Sequence, residues 1–267
     1  MLSRMTHRWF YFVLLAFACV VGCATWRNAS KVPSDNQVVL DQLVFYSNFP
    51  LPQQHRLLED LRAERALVST KLALPVSDEP IHVYLFATAD EFKAHAKAHY
   101  PDISNRRAFF VESDTRLMVY AYWGDRVAED LRHEVAHGYL HAVVRDLPLW
   151  LDEGLAEYFE VPRGHRGFNP AHMEWLLNAA PLGWKPDLRR LEQLDSPGGM
   201  TQMDYAESWA WVHWLLETTP ERQTFLRSYL NRMRDAGEIE PLSVALRQLQ
   251  LDFEKQLADH VSSLAKP

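Results

Sequence analysis

Two histidines, four residues apart, constrain this chain more than any other feature. His133, Glu134 and His137 form an HExxH pattern inside a stretch with helical periodicity. Residues four apart lie on the same face of an α-helix, so His133 and His137 can point both imidazoles at one cation, with Glu134 beside it. An ordinary amphipathic helix with two buried histidines and no metal would show the same sequence pattern. The pattern therefore needs a third metal ligand from elsewhere in the chain.

The third ligand is expected from the next helical segment. His141 lies on the same helix face, but about 12 Å along the axis from His133, too far to share its metal. A short proline-containing turn leads into residues 147–158, a second helical pattern that carries Glu153 and Glu157. A short connection favours antiparallel neighbours. The second helix should thus present Glu153 as the third ligand, with Glu157 placed to hydrogen-bond a ligand imidazole.

The combination of HExxH with P-x-W-L-D-E-G-L-A-E-Y at 148–158 resembles the gluzincin zinc metallopeptidases. It is most similar to the aminopeptidase-N-like clan and to small peptidase-MA-like bacterial proteins. In those families the glutamate of this segment is the third zinc ligand, and an acidic residue four positions later orients a histidine; the two fall on Glu153 and Glu157. The resemblance implies a zincin-like fold, a bound Zn²⁺ and peptide hydrolysis with Glu134 as general base. The connection from His137 to Glu153 is slightly shorter than in the best-known members.

A later segment carries two candidates for the group that stabilises an oxyanion. It resembles the Tyr-x-Lys-Gly segment of aminopeptidase-like gluzincins, whose tyrosine donates to the oxyanion and falls on Tyr205. Glu207 and Ser208 replace the Lys-Gly of that pattern, and His213 is the alternative donor. Three tryptophans nearby are expected in the core: Trp209, Trp211 and Trp214.

A predicted β-hairpin comes directly before the HExxH helix. Its strands are the patterns at 106–111 and 116–122, separated by a polar turn. Gluzincins line their cleft with an edge strand that pairs with extended substrate, so the resemblance makes Ala108, Phe109 and Phe110 candidate substrate-binding residues. A purely structural hairpin fits the same pattern.

The periodic segments predict one α+β domain at 38–267. Its expected elements are strands at 43–49 and 81–86, helices at 53–74 and 88–99, and after residue 125 helices at 125–144, 150–160, 170–180, 187–195, 203–218 and 220–235, with two more before Pro267. We expect a small strand-rich lobe at 38–124, with an edge hairpin, to pack on a helical lobe at 125–267. The active site should lie between the two lobes.

The N-terminal segment is expected to address the protein to the cell envelope. An apolar run at 9–21 is too short to span a membrane and predicts a secretory signal. It ends in V-V-G-C, which resembles the bacterial lipobox. The resemblance implies a lipoprotein signal peptide at 1–22, a lipidated Cys23, a tether at 23–37 and an outer-membrane anchor that faces the periplasm. A type-I cleavage site or a retained anchor is the alternative.

Composition narrows the classes of partner. The chain has 267 residues, 48% of them apolar and 24% charged, which is typical of a globular protein with a sizeable core. A formal net charge of −7 disfavours a nucleic-acid partner. Cys19 and Cys23 are the two cysteines; with the first in the signal and the second lipidated, no disulfide is expected.

Two functions fit these observations. The first is a zinc peptidase that hydrolyses peptides or proteins of the bacterial cell envelope. The second is a metal-binding lipoprotein that acts as an envelope binding or assembly factor with little or no hydrolysis. Glu134 favours the first, since a structural zinc site has no use for a general base. The chain lacks the Gly-x-Met-Glu-Asn segment that reads a free N-terminus, which weighs against an aminopeptidase; the oligomeric state stays open.

Overall fold

The computed structural model describes residues 31–237 and 239–265. The expected signal peptide, the lipidation site Cys23 and the first part of the tether lie outside the described residues. The strands are β1 (Asn36–Leu40), β2 (Leu43–Ser47), β3 (Ile81–Phe86), β4 (Ala108–Ser113) and β5 (Arg116–Tyr122). The helices are α1 (Arg56–Leu72), α2 (Ala89–His99), α3 (Val127–His141), α4 (Leu149–Phe159), α5 (Pro170–Ala179), α6 (Leu188–Leu191), α7 (Gln202–Glu217), α8 (Pro220–Ala236), α9 (Leu242–Leu249) and α10 (Phe253–Leu264).

The five strands form one sheet in the order β1-β2-β3-β5-β4. β1 pairs antiparallel with β2 and β4 pairs antiparallel with β5, whereas β3 runs parallel to both of its neighbours. Among the described strands, β4 therefore forms an edge. The hairpin that the sequence predicts at the edge of the sheet, directly before the HExxH helix, is confirmed.

The strand pattern at 43–49 is only the second half of a hairpin. Asp41 adopts a left-handed backbone conformation, with φ of 51°, and turns the chain between β1 and β2. Aspartate tolerates this conformation better than most residues. β1 carries polar Asn36 and Gln37 and leaves Val39 exposed, so it lacks the apolar alternation that would have predicted it.

Helices cover both faces of the sheet. One face presents the alternate apolar residues of β2, β3 and β5 to α1 and α3, which form the main core. The opposite face carries a smaller aromatic cluster under α2, in which Tyr84, Phe109 and Tyr120 meet Phe92. The HExxH helix α3 packs across β3, β4 and β5 and against α1.

Two glycines permit the close contacts that position the site. Gly138 of α3 faces Ile81 of β3, where an added Cβ would lie 3.0 Å from the isoleucine side chain. Gly154 of α4 faces α7, where an added Cβ would lie 2.6 Å from the carbonyl oxygen of Ser208. The first contact sets α3 on the sheet. The second sets α4, the helix of Glu153, on α7.

The fold is α+β, as the sequence predicts: a five-stranded sheet with α1 and α2 between its strands, followed by a helical part from α3 onward. The three tryptophans expected in the core, Trp209, Trp211 and Trp214, are at most 1% exposed. Within the residues described, every helix falls short of the length and apolarity that crossing a membrane requires.

Candidate metal centre and cavity

Three donor atoms converge where α3 meets α4. Nε2 of His133 lies 3.2 Å from Nε2 of His137 and 3.3 Å from Oε2 of Glu153. The same carboxylate oxygen lies 3.7 Å from Nε2 of His137. The structure thus brings together the three residues that the sequence analysis expects to bind a metal, because one helical turn aligns the imidazoles and α4 supplies the carboxylate.

Carboxylates hold the far nitrogens of both imidazoles. Nδ1 of His133 lies 3.1 Å from Oε2 of Glu160, and Nδ1 of His137 lies 2.9 Å from Oδ1 of Asp152. A neutral imidazole that donates from Nδ1 keeps a lone pair on Nε2. Both lone pairs therefore point into the space beside Glu153, as in the carboxylate-histidine-metal arrangements of metalloproteins.

The donor group fits a zinc ion. Oε2 of Glu153 is buried and accepts no hydrogen bond from any described residue, and a buried carboxylate oxygen facing two lone pairs is unfavourable without a cation. A tetrahedral zinc ion with bonds of about 2.0 to 2.1 Å holds its ligands about 3.3 Å apart. The separations of 3.2, 3.3 and 3.7 Å match that requirement closely.

Two neighbouring groups in the described chain also have metal-binding composition. They are His137 with His141 and Asp152, and His133 with Glu157 and Glu160. Each shares a histidine with the first group. In the former, Asp152 bridges the two imidazoles at 2.9 and 3.0 Å, which are hydrogen-bond distances. We interpret the first of these, and in the second the contact between Glu160 and His133, as hydrogen-bonded supports of the three donors.

The position of Glu157 corrects the sequence analysis. Its Oε2 lies 2.5 Å from Nε2 of His172 on α5 rather than on a ligand imidazole. The Nδ1 atom of a metal-binding imidazole points away from the metal, so its carboxylate partner has to lie outside the ligand cluster. Asp152 and Glu160 occupy those positions. Asn169, which caps α5, donates to the other oxygen of Glu160 at 2.8 Å and holds it in place.

The electrostatics of the group favour a cation. Burial opposes protonation of His133, but the nearby carboxylates of Glu153 and Glu160 raise its pKa well above the usual value. Burial likewise opposes protonation of His137, and Asp152 raises its pKa. Although burial opposes ionisation of Glu153, the two histidines lower its pKa. Carboxylates that attract protons to this position would also stabilise a divalent cation there.

Glu134 lies beside the donor group without belonging to it. The residue is 6% exposed. It lines a cavity of about 910 Å³ that opens next to the three donors His133, His137 and Glu153, which we call the metal group. Burial raises the pKa of Glu134, and the charges of His133 and His137 oppose this rise. A carboxylate with a raised pKa is suited to accept and return a proton near neutral pH.

Of the two candidate oxyanion donors, Tyr205 reaches the cavity. It lies in the first turn of α7, whose start is fixed by a capping box between Thr201 and Asp204. Nη2 of Arg106 donates to the hydroxyl of Tyr205 at 3.4 Å. Arg106 was not singled out from the sequence.

His213 lies two turns further along α7 and does not line the cavity. Its Nδ1 is 3.0 Å from Nε2 of His260, and it is packed among Tyr158, Phe168 and Trp209. Burial and the neighbouring His260 lower its pKa to about 4. His213 is therefore a buried, neutral residue of the helical core, separated from the metal group.

The edge strand β4 sends alternate side chains to opposite faces of the sheet. Ala108 lines the cavity, and the ring of Phe110 stacks on His137 with a centroid distance of 5.9 Å. Phe109 points the other way and packs on Tyr120 in the aromatic cluster. Of the three candidate substrate-binding residues, Phe109 has only its backbone on the side of the site.

No protein-family model matches the sequence, and no curated protein matches it. Among solved structures, the chain is similar to an M1 zinc metallopeptidase from Deinococcus radiodurans and to a point mutant of it. Their TM-scores are 0.42 and 0.41 and their sequence identities 18% and 17%, over 89% of this chain. This chain spans about half their length, at 53% coverage. Similarity this low does not indicate a function, whereas the geometry of the site does.

Proposed function

We propose that the protein is a zinc-dependent peptidase. The observation that carries this proposal is the convergence of His133, His137 and Glu153 at tetrahedral separations, with Glu134 buried beside them at the cavity wall. A site built only for stability would need a fourth protein ligand and no base. Here the carboxylate of Glu134, which can act as a general base, borders an open cavity large enough for a peptide segment.

A zinc ion bound by the three donors would polarise a peptide carbonyl and lower the pKa of a water molecule beside it. The residues of the chain supply the remaining steps. Glu134 accepts the proton of the attacking water and passes it to the leaving amine. Tyr205, which also lines the cavity, donates its hydroxyl hydrogen to the oxygen on which negative charge develops. Asp152 and Glu160 hold the ligand imidazoles in the required tautomer.

The edge strand β4 supplies the means to bind an extended peptide. Its outer side has no strand partner among the described residues, and its side chains at Ala108 and Phe110 face the metal group. A peptide that pairs with β4 would lie along the cavity with a carbonyl near the three donors. Backbone pairing gives affinity for many sequences, and the cavity walls select among them.

Glu134→Gln tests the proposal directly. The variant keeps the shape of the side chain but cannot accept a proton, so it should bind zinc as the wild type does and lose activity by at least about 10² to 10⁴. The measurement is cleavage of a mixed peptide library and of envelope proteins by zinc-loaded wild type and variant side by side. Equal cleavage by both would show that Glu134 is not the base. Absence of cleavage by zinc-loaded wild type would favour a binding or assembly factor.

The proposed place of action is the bacterial cell envelope, through a lipid on Cys23. This proposal is supported by the apolar run at 9–21 and the V-V-G-C segment that follows it. Mass spectrometry of the mature N-terminus tests it. A diacylglycerol-modified Cys23 is the expected result; cleavage elsewhere, or a free thiol at Cys23, would remove the envelope anchor.

A further inference from the structure

The cavity beside the metal group is lined by both positively and negatively charged side chains. Three of the four arginines in its wall pair with carboxylates of the protein: Arg107 with Asp130, Arg126 with Glu129 and Arg132 with Asp60. The fourth, Arg106, takes part in no ion pair with any residue that the structure describes. Its hydrogen bond is the 3.4 Å contact with the Tyr205 hydroxyl, which is at the long limit for such a bond.

A half-buried guanidinium without a carboxylate partner is suited to bind an anion. Its planar group can donate two parallel hydrogen bonds to a carboxylate, which is the strongest common pairing of this side chain. The rest of the wall disfavours anions, because it carries Glu134, Glu153, Glu157 and Glu160. Apart from a bound metal, Arg106 is thus the group in the described cavity wall that a negatively charged part of a substrate would approach.

The position of Arg106 on the sheet indicates which part of a peptide it would meet. Arg106 comes two residues before Ala108, at the start of the edge strand β4, and both line the cavity. A peptide that pairs antiparallel with β4, the more stable arrangement, places its C-terminal end at the start of the strand. Along this segment the cavity is lined by residues 105–108 and not by residues 109–113, so it lies at the start of β4.

We propose that Arg106 binds the C-terminal carboxylate of a peptide substrate, and that the protein removes residues from C-terminal ends of peptides. This inference rests on the proposed peptidase function and specifies its substrate. The chemistry recognised is a carboxylate, and its place at the start of β4, where the C-terminal end of an antiparallel peptide would lie, favours the terminal carboxylate over an acidic side chain. The contact between Arg106 and Tyr205 would place the bound terminus close to the reacting carbonyl.

Binding to the zinc-loaded Glu134→Gln protein tests the inference without turnover. The probes are N-terminally labelled hexapeptides of mixed sequence, prepared with a free C-terminal carboxylate, with a C-terminal amide, or with the amide plus an internal glutamate, and measured by fluorescence anisotropy. The free acid should bind about 10- to 100-fold more tightly than the amide, the range expected for a charge-assisted hydrogen-bonded pair. Adding Arg106→Gln should remove that difference and leave binding of the amide unchanged.

Arg126→Gln is the matched control. It removes the same charge from the same cavity wall, but its side chain is 58% exposed and pairs with Glu129, so the preference for the free acid should persist. Arg106→Gln should fold normally because it leaves no protein carboxylate unpaired; thermal unfolding verifies this. Equal binding of acid and amide, an equal loss of both in Arg106→Gln, or no binding of any peptide would overturn the inference. Tight binding of the internal-glutamate amide would overturn the terminal assignment.

Failure of the Arg106 inference can be distinguished from failure of the peptidase proposal. If zinc-loaded wild type cleaves peptides but Glu134→Gln binds acid and amide equally, only the role of Arg106 is refuted. If wild type cleaves nothing while the preference for the free acid depends on Arg106, the peptidase proposal falls and the carboxylate site stands.

Discussion

Nδ1 of His137 lies 2.9 Å from Oδ1 of Asp152, the residue directly before Glu153. Two consecutive residues at the start of α4 therefore act on one imidazole from two sides, one at Nδ1 and the other near Nε2. The second oxygen of Asp152 lies 3.0 Å from His141, whose other nitrogen lies 2.6 Å from Glu112 on β4. A continuous hydrogen-bonded chain thus connects the edge strand to a histidine of the candidate metal centre.

Metal content should depend on all three donors. We expect one zinc per chain in the wild type and loss of stoichiometric zinc in His137→Ala and Glu153→Ala, because two remaining ligands bind weakly. Elemental analysis after dialysis against a weak chelator measures this. Stoichiometric zinc in both His133→Ala and Glu153→Ala would show that the ligand set is wrong.

The carboxylates behind the imidazoles should tune zinc affinity. Asp152→Asn and Glu160→Gln should each weaken zinc binding about 10- to 100-fold, the usual effect of removing such a partner. Glu157→Gln is the control, since Glu157 contacts His172 rather than a ligand nitrogen, and its affinity should stay near that of the wild type. Competition with a fluorescent zinc chelator gives the three constants. A loss in Glu157→Gln as large as in Glu160→Gln would favour the assignment made from sequence.

Substitutions of Tyr205 and His213 should affect different properties, the first catalysis and the second stability. Tyr205→Phe should lower kcat by about 10² to 10³, the effect of removing one oxyanion donor, and leave zinc content unchanged. His213→Gln should keep kcat near the wild-type value, because His213 lies outside the cavity, and should lower thermal stability instead. Steady-state kinetics and thermal unfolding on both variants provide the measurements. A larger loss of kcat in His213→Gln than in Tyr205→Phe would contradict the structure.

Gly154→Ala should destabilise the protein by about 1 to 3 kcal/mol, the cost of overpacking a close contact. The added Cβ would lie 2.6 Å from the backbone oxygen of Ser208, which cannot move without shifting α7. Gly138→Ala is the comparison, since its Cβ would meet only the side chain of Ile81, at 3.0 Å, and should cost less. Urea unfolding measures both. Zinc affinity should fall more in Gly154→Ala than in Gly138→Ala, because the backbone of Ser208 would displace α4 and Glu153, whereas the side chain of Ile81 can move aside and leave α3 in place.

The buried pair His213 and His260 should make a contribution to stability that falls in mild acid. Burial lowers the pKa of both from 6.5 to about 4. The unfolded chain therefore binds more protons than the folded one between those values, so the stabilisation is complete above pH 6.5 and is lost as the pH falls towards 4. We expect a loss of about 1 to 3 kcal/mol for the pair, allowing for partial exposure.

Urea unfolding of the metal-free protein from pH 7 to pH 4 measures this dependence, with a chelator present so that zinc binding does not contribute. His260→Gln can keep a hydrogen bond to His213 but does not titrate at this position, so the free energy of unfolding of the wild type should fall relative to that of the variant as the pH goes from 7 to 4. Parallel curves for the two proteins would show that the pair does not titrate in this window.

The sequence predicts the parts of the site that local spacing determines. The imidazoles of His133 and His137 are one helical turn apart, so any helix at this position brings them together. Glu153 follows from the next helix and a short turn. Which carboxylate reaches each Nδ1 atom depends instead on the directions that the side chains take after the helices pack. For this reason the sequence assigns the hydrogen bond to a ligand imidazole to Glu157, whereas Glu160 makes it in the structure.

The same limit applies to the edge of the sheet and to the cavity. The hairpin was predictable from its two apolar runs and its turn, but β1 was not, because its exposed residues carry no clear alternation. The significance of Arg106 depends on which of several neighbouring arginines find carboxylates across the fold. Partners such as Asp60 and Arg132 are far apart in sequence, so the spacing of charged residues along the chain does not predict that they form an ion pair.

The contact between Gly154 and Ser208 gives the site an order of assembly. His133 and His137 come together as soon as α3 forms, because both lie on that helix. The close approach of Gly154 to Ser208 fixes α4 against α7, so we expect Glu153 to be held at its final distance from the two histidines only once residue 208 has left the ribosome and α7 has packed. Long-range closure of this kind is slow compared with helix formation. A metal ion would therefore be captured late, as the last step of folding rather than as its nucleus.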